Sequence, residues 1–327
     1  MSFVVSKRKL FVPIFSAFFA ILIPLIPWND LRSIEYYDRR VYINYIDNVP
    51  NKVHWFDFDG FMTKISYEWL WHKILQFCTE DLLLNSTIIL FTISFLILFS
   101  AISFVTYRMK NYWSAIFLFN PVFLDFVVSQ SRLAFTMSII FLAYFLRKRG
   151  NLLYIPLLLI TPFIHTSSVL FIFLIGTAIY LEESKIMYKY FQGVGKTTIA
   201  IYAGLIVGIV TGPLMSIILG GIGDRRAEYD DMSSPITHLA FYLILVPYFL
   251  LKGYFEKSQK DLTFYVTIML FMIIVLNTVF SGYPSRFIAA LFPFFICALL
   301  SLKGKENILI WIAYLAYTAL LWIFWFI

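Results

Sequence analysis

The chain has 327 residues, of which 61% are hydrophobic, 20% aromatic and 14% charged, with a mean hydropathy of +0.81. A soluble domain carries roughly 25% charged residues, and a single soluble core stops growing near roughly 250–300 residues. The apolar surplus therefore faces lipid. The formal charge of +7 reads as basic cytoplasmic loops beside anionic lipid, and soluble enzymes, nucleic-acid binders and secreted disulfide scaffolds are excluded.

A bilayer core of about 30 Å takes roughly 17–25 apolar residues per helix. Continuous apolar runs predict an all-α polytopic membrane protein, a single transmembrane domain over 1–327. Eleven spans are expected near 10–28, 83–107, 112–128, 130–146, 151–164, 166–181, 197–219, 236–251, 262–280, 286–302 and 308–327. Unbroken apolar runs exclude a membrane β-barrel, whose strands alternate. The first span follows Lys7, Arg8 and Lys9 and runs into Trp28-Asn29-Asp30 without a small-residue cleavage site, so it reads as a retained anchor.

Residues 29–82 form a long first outer loop, dense in aromatics from Tyr36 to Trp71, and 66–82 reads as an amphipathic helix lying at the interface. The aromatics serve either as a headgroup-level belt or as flat faces for sugars. Further on, 151–181 as one helix would span about 46 Å at 1.5 Å per residue, too long for the core. Pro162, His165, Thr166, Ser167 and Ser168 interrupt it, which predicts two short helices meeting at His165. That break puts Lys185, Lys189, Lys196, Lys252, Lys257, Lys260, Lys303 and Lys305 inside, with the N-terminus. Arg225, Arg226 and Arg286 fall outside, the first two in a second outer loop over 224–235. Cys78 and Cys297 lie in unlike stretches, and no disulfide is expected.

Four arginines beyond the long loop, Arg132, Arg225, Arg226 and Arg286, stand on the outer side, where the short loops hold no lysine. An arginine offers a planar fork that binds phosphate in two places, whereas lysine acts as a point charge. Snorkelling to lipid phosphate is the plainer reading of each. His165 sits at the junction of two half-length helices, where exposed N–H groups favour an anion. It serves either as a base or as a histidine satisfied by neighbouring hydroxyls. Asp125, inside an apolar run, calls for a partner, and Arg132 is seven residues on.

Other patterns carry less. Gly193-Val194-Gly195-Lys196-Thr197-Thr198 lacks the earlier glycine of a phosphate-binding loop, with Tyr190 in its place. Asp57-Phe58-Asp59, near His54, is a D-x-D in an acid-rich loop. Gly204, Gly208 and Gly212 recur on one helix face and predict close helix packing.

The stretches Asn120-Pro121-Val122-Phe123, Gln130-Ser131-Arg132-Leu133-Ala134 and Phe163-Ile164-His165-Thr166-Ser167-Ser168 resemble the EpsG-like branch of the Wzy polysaccharide polymerases. Asp38 four residues before Tyr42, Glu68 opening an aromatic helix, and the late Arg286 before an apolar run are similar too. The usual Arg-Gln pair is here Arg132-Leu133, with Gln130 upstream.

The resemblance implies a polymerase of lipid-linked repeat units on the outer face of the bacterial cytoplasmic membrane. A glycan on polyprenyl diphosphate passes to the acceptor sugar of another lipid-linked repeat unit. Its partners would be those donor and acceptor lipids, membrane lipids and a chain-length regulator, with no nucleic acid. Arg132, Arg225, Arg226 and Arg286 would hold the diphosphate without a metal. His165, Asp38 and Glu68 compete for the role of base. No cofactor is called for, since the energy is already in the diphosphate. A flippase or transporter for a lipid-linked oligosaccharide, and a glycan ligase, remain open alternatives.

Overall fold

The computed structural model describes residues 7–32, 35–48, 60–184, 195–221, 234–255, 260–280, 282–302 and 306–326. Among these there is no strand. The chain divides into two compact units, the first Met1–Val169 with Leu320–Ile327 and the second Leu170–Ala319.

The first unit begins with α1 (Lys7–Leu25), followed by three short helices, α2 (Tyr37–Asp47), α3 (Phe61–Ser66) and α4 (Trp69–Gln76). The single amphipathic helix expected over 66–82 is thus divided. Glu68 separates α3 from α4, and a π-helical turn, Phe77–Asp81, follows. α4 buries Trp71, His72 and Leu75 on one side. Helix α5 (Ser86–Met109) starts where the Asn85 side chain accepts from the Ile88 amide at 2.9 Å, and it ends at Lys110 in a left-handed conformation.

α5 is the centre of this unit. Val12, Ser16 and Ala20 of α1 are buried at one-turn spacing, and α1 packs along α5. Ile97, Ala101 and Val105 of α5 are fully buried, as are Ala134 and Met137 of α7 (Ser131–Lys148), and the Phe104 and Phe141 rings meet at 5.2 Å.

The run 112–128 does not fold as one span. A 3-10 turn, Trp113–Leu118, leads to Asn120, which caps the Val122 amide at 3.0 Å, and Pro121 opens the nine-residue α6 (Pro121–Ser129). Proline has no N–H to continue the preceding turn. Helix α6 then meets α7 at a bend of 101° at Gln130. Its last carbonyls are held by other elements. Ser94 donates to the Val127 carbonyl at 2.9 Å and Arg39 to that of Val128 at 3.2 Å.

The break predicted in 151–181 is present. Helix α8 (Tyr154–Ile160) passes into a 3-10 turn, Thr161–Phe163, and α9 (Ser168–Glu183) begins after His165. Tyr154–Phe163 would rise only about 15 Å as an α-helix, half of a bilayer core.

The second unit takes most of α9 and continues with α10 (Lys196–Thr211), α11 (Met215–Gly221), α12 (Ile236–Phe255), α13 (Leu262–Val279), α14 (Pro284–Ser301) and α15 (Glu306–Phe326). The last residues of α15, Leu320 onward, belong to the first unit. The run 197–219 is divided at Gly212 and Pro213. The glycine stripe does what its spacing implies. A Cβ on Gly204 would lie 2.6 Å from the Met269 carbonyl oxygen, and one on Gly208 2.8 Å from Leu276 Cδ1. Helices α10 and α13 therefore approach backbone to backbone.

Among the described residues, five helical stretches are long and apolar enough to cross a membrane: α5, α12, α13, α14 and Asn307–Phe326 of α15. The count is six if the bent α6–α7 pair is one broken span. Among the described residues, the eleven apolar runs do not all fold as helices of spanning length. Asn120-Pro121, Pro162 and Gly212-Pro213 interrupt them. The described residues are helical without strands, and the chain is a multi-pass membrane protein.

Candidate functional site

His165 is placed by the break between α8 and α9. Pro162 denies the helix an N–H there, and the backbone turns back on itself. The amides of Ile164 and His165 both donate to the Thr161 carbonyl at 3.0 Å, and Ser168 donates to the His165 carbonyl at 2.9 Å. The imidazole is left inside the unit, with the residue 7% exposed. The amide of Thr166 points away from these internal bonds, and an anion receives it. That anion is a carboxylate of the chain itself.

The carboxylate belongs to Glu68, which is 3% exposed. Its backbone is left-handed, at φ 57° and ψ 46°. For a residue other than glycine such a conformation costs on the order of 1–3 kcal/mol and persists only where the surroundings enforce it. Enforcement comes from both sides: the Glu68 amide donates to Ile65 at 3.1 Å, and its carbonyl accepts from Trp71 at 3.0 Å. The corner between α3 and α4 directs the side chain inward.

Both carboxylate oxygens are engaged. Oε1 meets His165 Nδ1 and accepts from the Thr166 amide at 3.2 Å. Oε2 pairs with Arg132 Nη1. Thr166 also returns a bond to the helix that leads into the corner, its hydroxyl donating to the Ile65 carbonyl at 2.9 Å. The loop at His165 and the corner at Glu68 therefore clamp each other.

Arg132 reaches this carboxylate because the bend at Gln130 starts α7 in a new direction, with Arg132 in its first turn. Its Nε donates to the Tyr42 hydroxyl at 3.0 Å, and its guanidinium lies 5.6 Å from the Tyr42 ring centroid. The Arg132 side chain is 27% exposed and that of Glu68 3%, so the carboxylate is enclosed while its arginine partner is partly open. A buried ion pair is costly to assemble and adds little net stability over an apolar pair. The chemistry of this one can be used: a fixed carboxylate, an imidazole and a planar cation converge on one point.

The structure thus brings together Glu68, Arg132 and His165 from segments far apart in the chain. Tyr42 and Thr166 complete the cluster. In the sequence Tyr42 is one ring in an aromatic-rich loop, and Thr166 one hydroxyl in a helix break. Neither position carries a local pattern that marks it as a ligand. Asp38, the other carboxylate considered as base, stands one turn before Tyr42 on α2, and among the described residues it makes no hydrogen bond or ion pair with Glu68, Arg132 or His165.

Arg286, in the second unit, stacks 4.5 Å from the Tyr283 ring centroid in the first turn of α14. Arg225, Arg226, His54, Asp57, Asp59, Gly193 and Val194 lie outside the described residues. Asp125 does not pair with Arg132 as its spacing invited. It forms an ion pair with Arg32 at 3.7 Å, and the Arg32 guanidinium lies over the Tyr36 and Trp325 rings. Seven residues on, Arg132 sits beyond the bend and is directed at Glu68. Among the described residues no group of three His, Cys, Asp or Glu side chains is arranged to hold a metal ion, and neither Cys78 nor Cys297 is in a disulfide.

Neither a curated protein nor a solved structure matches the chain. A protein-family model does, that of the EpsG family, over residues 9–327. With nearly the whole chain matched, the protein belongs to the EpsG family, a Wzy-like family of polysaccharide polymerases.

Proposed function

We propose that the protein polymerises lipid-linked oligosaccharide repeat units on the outer face of the bacterial cytoplasmic membrane, with Glu68, Arg132 and His165 at the reacting centre. The observation that carries this reading is the convergence of a carboxylate, an imidazole and an arginine fork on one partly open point. In the reaction, the hydroxyl of the acceptor sugar gives its proton to the Glu68–His165 couple. Its oxygen then forms a bond to the anomeric carbon of the growing glycan. The bond from that carbon to the diphosphate oxygen breaks, and the polyprenyl diphosphate leaves with the electron pair.

Each part of the cluster has a task in this scheme. Negative charge grows on the leaving diphosphate, and a fixed guanidinium is worth most where charge develops in a partly desolvated site. Arg132 would exchange its Glu68 contact for phosphate oxygens, while Tyr42 keeps the guanidinium in place. Glu68, released from Arg132, would remain bonded to His165 and to the Thr166 amide and share the proton with the imidazole. A base oriented by a second group is the general arrangement for activating a hydroxyl. By residue chemistry alone we assign Arg286, Arg225 and Arg226 to the phosphates as well. The donor is a polyprenyl-diphosphate-linked glycan, the acceptor a lipid-linked repeat unit, and a chain-length regulator is the expected protein partner.

The test is the glycan made by a deletion strain that carries Glu68→Gln, His165→Gln or Arg132→Lys. Each variant should reach the membrane in normal amount and leave single repeat units on the lipid. Absence of surface glycan would mean a flippase. Long chains retained on the carrier would mean a ligase. Long surface chains made by a well-expressed His165→Gln strain would remove the catalytic role of the histidine.

A further inference from the structure

We infer that His72 is a positioning residue of the same centre: it holds the left-handed corner at Glu68 and ties that corner to the helix that fixes Arg132. The inference rests on the function proposed above and names a residue whose two ring nitrogens are bonded to Tyr45 and Tyr67. His72 lies on α4, one turn beyond Glu68, and is buried. Its Nε2 is 3.0 Å from the carbonyl oxygen of Tyr67, the residue immediately before Glu68. Its Nδ1 meets the hydroxyl of Tyr45, and the two rings meet edge to face at 5.4 Å.

The chemistry of the partners assigns the tautomer. A carbonyl oxygen can only accept, so Nε2 carries the hydrogen. In the neutral ring Nδ1 then accepts, and the Tyr45 hydroxyl donates to it. His72 therefore binds two separate elements with its two nitrogens. One bond stops the Tyr67–Glu68 peptide from rotating out of the left-handed corner. The other reaches α2, where Tyr42, three residues before Tyr45 and on the same side of the helix, accepts from Arg132 Nε. The carboxylate and the guanidinium are thus indexed to each other through α2 and His72 as well as by direct contact. The direct contact is the one that the proposed reaction must open. The route through His72 stays closed while it opens, so Glu68 and Arg132 keep their spacing when a diphosphate takes the guanidinium.

Amide replacements separate the two bonds. The terminal amide of glutamine reaches the position of Nε2 and can donate to Tyr67. Asparagine is shorter, reaches the position of Nδ1 and can only serve Tyr45. The experiment uses the full-length protein in proteoliposomes, with the host's own lipid-linked repeat units extracted from a strain lacking the protein. Elongation is followed against repeat-unit concentration. His72→Phe should lower kcat by about 10- to 100-fold, the scale of a small misplacement of reacting groups, with KM nearly unchanged. His72→Gln should recover most of the rate, and His72→Asn should not.

If the Phe variant fails to accumulate, the Gln and Asn pair decides. Unequal kcat values in favour of Gln support the positioning role, and equal values overturn it. Glu68→Gln, measured in parallel, keeps the two claims apart. A dead Glu68→Gln beside a fully active His72→Phe sinks the role of His72 and leaves the proposed function standing. An active Glu68→Gln sinks the proposed function itself.

Discussion

Thr166 supports Glu68 through two bonds, one to its carboxylate and one to the helix that precedes it. The carboxylate of Glu68 accepts from the Thr166 amide at 3.2 Å, and the Thr166 hydroxyl donates to the carbonyl of Ile65, three residues before Glu68, at 2.9 Å. One bond orients the side chain and the other braces the helix that presents it. Only the second depends on the side chain of residue 166.

Thr166→Val is therefore an informative change. It keeps the β-branched shape and the amide and removes the hydroxyl. A lost hydrogen bond of this kind is worth about 1 kcal/mol. We expect a several-fold slower elongation rate with Glu68 still in place, measured on reconstituted protein. An unchanged rate would mean that the Ile65 bond has no part in presenting the carboxylate.

Arg132→Lys keeps the charge and loses the fork. A lysine ammonium cannot hold Tyr42 and a carboxylate in the planar geometry seen for Nε and Nη1. Chain extension should fall to background in a variant that reaches the membrane in normal amount. Tyr42→Phe, which leaves the fork and removes one of its anchors, should fall between this variant and the wild type.

Much of this arrangement can be anticipated from local chemistry, and part of it cannot. Pro162 followed by Thr166, Ser167 and Ser168 predicts the break that positions His165, because proline and hydroxyl side chains compete with the helix for its own hydrogen bonds. The glycine period predicts a close helix contact for an equally local reason, and α13 is the helix that makes it. The Asn120-Pro121 pair is visible as well, but hydropathy reads 112–128 as one apolar run and does not register that Asn120 caps a new helix. The meeting of Glu68 with His165 joins positions 97 residues apart. No periodicity encodes it, and Glu68 stood out only through resemblance. Asp125 shows the opposite error. Closeness in sequence favoured Arg132, and a bend of 101° turned α7 away from it.

Two of the glycines that face α13 should differ in tolerance. On Gly204 an added methyl meets Met269 backbone, its oxygen at 2.6 Å and its Cα at 2.8 Å. On Gly208 it meets first the Cδ1 end of Leu276 at 2.8 Å, which can rotate away. Overpacking a tight contact costs about 1–3 kcal/mol. Gly204→Ala should lower the melting temperature of the detergent-solubilised protein clearly, and Gly208→Ala should do so less. Equal shifts would mean that the helices separate as easily at one position as at the other.

Cys78 offers a probe of sidedness. Burial raises the pKa of its thiol, so less thiolate is present at neutral pH than on an exposed cysteine. Labelling of intact cells by a membrane-impermeant maleimide should be slow at pH 7 and rise with pH, by roughly tenfold per unit while the thiol remains the major form. Cys297, buried within α14, should stay unmodified. Failure to label Cys78 from outside at any pH, with labelling after permeabilisation, would place the Glu68 corner on the other side of the membrane.

The close seating of Gly204 against Met269 also constrains how this chain can diverge. A partner on α13 can be exchanged for another side chain of similar bulk, because the contact at that point is with its backbone. Position 204 has no such latitude, since even the smallest side chain would push the two backbones apart. Drift is thus free on one helix and closed on the other at the same point of contact. Across relatives, position 204 should remain glycine while residue 269 varies.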